Sequence, residues 1–70
     1  MMPILLSTIG EENIIRKIGG SPEIKQHLAD LGFVVGGDAT LVSLVGENAI
    51  IKVKETRVAL SKELAQKVMV

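Results

Sequence analysis

The chain has 70 residues, eight basic and eight acidic side chains for a formal net charge of zero, and no cysteine. That length holds one domain, spanning residues 1–70, and a fold of this size buries only about 60% of the surface its unfolded chain exposes; without cysteine, neither disulfides nor a thiolate metal site can brace it. Balanced charge and a single aromatic residue, Phe33, argue against nucleic-acid binding, which draws on clustered cations and stacking rings, and no run approaches the roughly 20 apolar residues that cross a bilayer.

The opening Met1–Leu6 is apolar but has no basic n-region, so it reads as part of a mature cytoplasmic protein and not as a signal peptide. Ile4 to Ile9 predicts a first strand, ended by the turn formers Gly10-Glu11-Glu12-Asn13. Ile14 to Ile18 predicts a second strand, closed by a sharp turn at Gly19-Gly20. The clearest local signal follows. Ser21 is a good N-cap, Pro22 suits the first helical position, and Glu23 places negative charge near the positive end of the helix dipole. Ile24, Leu28 and Leu31 form one apolar stripe, Gly32 sits at C′, and Phe33 can pack back on Leu28 as in a Schellman ending. The pattern predicts a helix over 21–31.

Gly36-Gly37-Asp38 turns the chain into a strand at Ala39–Leu44, Gly46-Glu47-Asn48 reverses it, and Ala49–Lys54 returns. In that return Ala49, Ile51 and Val53 face inward while Lys52 and Lys54 face solvent. A tight turn at Glu55-Thr56 leads into Arg57–Leu60, with Val58 and Leu60 inward. Ser61 caps a short helical turn over about 61–66, and Val68-Met69-Val70 is a last short strand. The sum is a mainly β fold: a small barrel of five to six short antiparallel strands with one helix and one helical turn. Pairing of the final strand near the start would close it and remove exposed edges.

The inventory of reactive groups is thin. His27 is the only histidine and borders the apolar stripe of the helix, where it reads as a half-exposed residue at the edge of the core. Ser7, Ser21, Ser43 and Ser61 read as strand or cap residues, Glu11-Glu12 as solvated charge, and the paired glycines as turns outside any phosphate-binding pattern. Neither enzyme activity, nor a metal site, nor a cofactor is expected. Arg16, Lys17, Lys52, Lys54 and Arg57 lie on or beside strands as ordinary solvent-facing charge. Phe33-Val34-Val35 fills the core, with part of the run left at the surface for docking. The expected partner surface comprises His27, Leu31, Phe33 and Val34.

Three segments carry a family resemblance. Ile15-Arg16-Lys17-Ile18-Gly19-Gly20, then Leu28-Ala29-Asp30-Leu31-Gly32-Phe33-Val34-Val35-Gly36, and finally Val58-Ala59-Leu60-Ser61-Lys62-Glu63-Leu64-Ala65 before Val68-Met69-Val70, resemble the FeoA family of bacterial ferrous iron uptake. The family often carries an arginine where this chain has His27, and a longer central loop where only Gly46-Glu47-Asn48 stands. The resemblance implies an SH3-like barrel without catalytic or metal-binding residues, working as a cytoplasmic accessory of FeoB, a membrane transporter with a GTP-binding domain. Such a protein would not insert into the membrane but would be recruited to its inner face by that partner. A related barrel ends the DtxR-type metal-dependent repressors, which makes a stand-alone regulatory module the alternative. Homo-oligomerisation is left open, since a small aliphatic barrel with a bare edge or an apolar patch dimerises easily.

Overall fold

Hydrogen bonds near both ends of the chain decide how it begins. In the computed structural model, which describes residues 1–70, Met2 and Val70 exchange backbone bonds of 2.9 and 2.7 Å, while Gly10 N–H donates to the Leu41 carbonyl at 2.9 Å. The chain must swing from one strand pairing to the other between those points, and the expected strand at Ile4–Ile9 is not formed. Ile4–Leu6 makes a 3-10 turn instead, with Leu6 N–H donating to the Pro3 carbonyl at 2.9 Å and the buried Ser7 hydroxyl donating to the Ile4 carbonyl at 2.6 Å. A serine hydroxyl offers the backbone a local alternative to a ladder, and here it helps drive Ile4 fully into the core.

The next stretch also divides differently. Strand β1 is Glu12–Ile14, so Glu12 and Asn13 are strand and not turn; β2 is Lys17–Ile18. The expected strand at 14–18 breaks at Ile15-Arg16 because the chain changes sheets there. Ile15 N–H donates to the Gly37 carbonyl and Arg16 N–H to the Met69 carbonyl, both at 2.8 Å, and Ile15 turns into the core.

Helix α1, Pro22–Asp30, has the termini its residues dictate. The Ser21 hydroxyl accepts from Ile24 N–H at 3.3 Å. At the other end Gly32 N–H donates to the Ala29 carbonyl and Phe33 N–H to the Leu28 carbonyl, both at 2.9 Å, which is the Schellman pattern. Gly32 has φ +107°, a backbone angle that a side chain disfavours.

Strands β3 (Asp38–Val45), β4 (Asn48–Val53) and β5 (Thr56–Ser61) form an antiparallel meander, and β1 adds to β3, giving the order β1-β3-β4-β5. The β3–β4 register shifts between Leu41 and Ser43, whereas β4 and β5 run in unbroken register from Asn48↔Ser61 to Val53↔Thr56. Ala49, Ile51 and Val53 are buried and Lys52 exposed, as alternation requires, whereas Lys54 lies past the strand, in a turn one residue earlier than the expected Glu55-Thr56. Lys54 and Glu55 both have positive φ, 47° and 62°, the signature of a two-residue type I′ turn.

Helix α2, Lys62–Ala65, is capped by the Ser61 hydroxyl, which accepts from Leu64 N–H at 3.2 Å. Strand β6, Val68–Met69, pairs antiparallel with β2, and Pro3 bridges to Met69, so the last strand does return to the start of the chain. The barrel is nevertheless not closed by continuous pairing. Two sheets enclose a core of Ile4, Ile15, Leu28, Phe33, Leu41, Ile51, Leu60 and Val68 with smaller residues between, and β5 is left as an open edge.

Candidate interaction surface

The end of α1 positions most of the residues singled out from sequence. His27 lies in the last turn of the helix with its side chain exposed, one position before the fully buried Leu28. Leu31 is the C-cap and half-buried, packed against the core. The Schellman turn then sends Phe33 inward, and at 1% exposure it is a core residue whose side chain is not at the surface. Val34 is at the surface with 37% exposure, and Val35 more so with 64%. His27, Leu31 and Val34 therefore present side chains on or near one end of the helix, and Phe33 holds that segment down from beneath.

One exposed apolar residue near this segment escaped the sequence reading. Gly36 N–H donates to the Ile15 carbonyl at 2.8 Å, and Ile14 pairs with Asp38, so Ile14 lies on the strand beside the Val34–Gly36 segment. Its side chain is 47% exposed. The signal was the doublet Ile14-Ile15: neighbours on a strand point to opposite faces, so only one of the two can enter the core.

The charged groups divide. Lys52 and Arg57 are cross-strand neighbours on the outer face of the meander, and Lys54 occupies the adjacent turn, while Arg16 and Lys17 lie by β6. The one ion pair, Lys52 Nζ to Glu55 at 3.6 Å, is solvent-exposed and weak. No pocket opens on the surface, and nowhere do three His, Asp or Glu side chains converge. What the arrangement offers is a surface: a helix end with exposed valines, and a bare strand edge.

A family model described as the FeoA domain matches residues 2–70. The chain belongs to the FeoA family. It is 30% identical over its full length to a protein of Methanocaldococcus jannaschii described as a candidate Fe(2+) transport protein A, of which it covers 85%. Among solved structures, an iron uptake regulatory protein, FeoA, superposes with a TM-score of 0.86 at 28% identity, covering 96% of this chain and 91% of the other. FeoA of Stenotrophomonas maltophilia, described as an SH3 domain protein complexed with zinc, gives 0.79 at 24% identity over 99% of this chain and 87% of its own. The fold is thus SH3-like. It recurs in a manganese-dependent transcriptional repressor, with a TM-score of 0.82 at 13% identity over 97% of this chain and 39% of the repressor, a likeness of fold alone.

Proposed function

We propose that this FeoA-family protein serves ferrous iron uptake from the cytoplasm by binding the cytoplasmic portion of a FeoB-type membrane transporter and modulating its activity. The observation that carries the reading is the family match over residues 2–70. The surface supports it physically: the exposed Val34 and Val35 leave apolar area at the end of α1 for a neighbour to cover. The contact is assigned to the end of α1, with His27, Leu31 and Val34 at the surface, Val35 extending it and Phe33 buttressing it from the core. The face is small, so affinity is weak to moderate.

Co-purification tests this directly. The full chain should be retained on the transporter's cytoplasmic portion when both are shown to be folded. Charge substitutions Val34→Asp and Val35→Asp should weaken retention by about tenfold or more, the loss of a hot-spot apolar contact, and Val35→Asp, at the more exposed position, should do so without shifting the unfolding midpoint. No retention of the unaltered chain would refute the partnership. Retention indifferent to both substitutions would refute the assigned surface. The shared fold with the repressor favours a second reading, a stand-alone regulatory module; capture of a DNA-binding regulator in place of the transporter would decide for it.

A further inference from the structure

Strand β5 ends the four-stranded sheet, and none of the backbone bonds outside the ladders involves residues 56–59. The Lys54-Glu55 turn fixes which groups are left over. In a two-residue hairpin the flanking residues exchange both backbone bonds, and bonded pairs recur at every second position. Val53↔Thr56, Ile51↔Val58 and Ala49↔Leu60 are therefore bonded, and the amides and carbonyls of Arg57 and Ala59 turn away from β4. Natural edges are blunted by prolines, bulges or lysines. This one has no proline, its register with β4 is unshifted, and Arg57 is its sole charge.

From this edge we infer a self-association site: β5 pairs antiparallel with β5 of a second copy of the chain about a two-fold axis at Val58. In that register Arg57 of each copy exchanges both backbone bonds with Ala59 of the other, and Val58 meets Val58. The charges select it. Pairing centred on Arg57 would oppose two guanidinium groups, and Arg57 already faces Lys52 across its own sheet. Pairing centred on Ala59 would run into Ser61, where α2 begins and extension ends. Centring on Val58 gives each Arg57 a small, neutral neighbour. Zero net charge removes any long-range barrier to the encounter. An edge this short buries less than the roughly 1,200 Å² of a stable interface, so dissociation falls at about 0.1 to 1 mM.

Sedimentation of the full chain from about 20 µM to about 1 mM, a range bracketing that affinity, reads the association. Amide exchange at the same concentrations should show protection of Arg57 and Ala59 rising with concentration. Both side chains point to solvent, so charges at position 59 leave the fold in place. Ala59→Glu sets a carboxylate opposite each Arg57 and should tighten the dimer by about tenfold, while Ala59→Arg should loosen it by a similar factor. A chain that stays monomeric at about 1 mM would overturn the proposal and leave the edge to an extended segment of another protein. So would a dimer that responds to neither substitution.

Discussion

Exchanging the Lys54-Glu55 turn for Asn-Gly should make the protein more stable, although it removes the one ion pair. Both residues sit in the left-handed region, at φ 47° and 62°, where an ordinary side chain crowds the following carbonyl at a cost of about 1 kcal/mol or more each. Asparagine tolerates that region and glycine prefers it, and Asn-Gly is the favoured type I′ pair. Two terms run the other way. Glycine loses about 0.5 to 1 kcal/mol more backbone entropy on folding. The Lys52–Glu55 contact, 3.6 Å long between side chains 45% and 86% exposed, adds a few tenths at most. The net gain is about 1 kcal/mol, equivalent to roughly 4–8 °C in Tm for a domain of this size. Urea unfolding of K54N/E55G beside the unaltered chain measures it, with an unchanged m-value showing that the denatured state is the same. A lower midpoint would refute the reasoning and mean that the turn side chains make contacts outweighing their backbone strain.

Two further substitutions test the packing. Gly32→Ala places a Cβ 3.3 Å from Val53 Cγ2 and 3.7 Å from Lys54 Cδ at φ +107°, so a loss of about 2 kcal/mol is expected from strain and crowding together; a loss below about 0.5 kcal/mol in urea unfolding would show that the turn relaxes freely. Leu28→Ala empties a fully buried position and should cost about 3 kcal/mol, enough to leave a domain of this size near its unfolding midpoint and to collapse the dispersion of its amide spectrum.

Local chemistry explains what could be read in advance. Ser21, Pro22, Gly32 and Phe33 each act on hydrogen bonds within a few residues, and the helix starts and stops as they dictate. Alternation at 49–53 was equally plain, because a strand with one buried face needs only its own pattern. The misread segments are those where a distant partner decides. Ile4–Ile9 has the composition of a strand but bends because Met2 is held by Val70 and Gly10 by Leu41. Ile15-Arg16 breaks because two sheets compete for successive amides. Closure failed as an expectation for the same reason: strand composition identifies β5, but whether anything pairs with its far side is a property of the assembled fold. At the candidate surface the helix end was legible from its cap. The inward turn of Phe33 separated it from its exposed neighbours, and Ile14 became visible only through its pairing.

The knotting together of Met2 and Val70 has a practical corollary. Chain ends usually fray and can be trimmed at little cost, but here Ile4, Val68 and Val70 are interior residues, so shortening either extremity by a few positions dismantles the centre of the domain. Whatever is appended to the two ends, whether tag, label or neighbouring sequence, leaves from side-by-side points and shares a single exit.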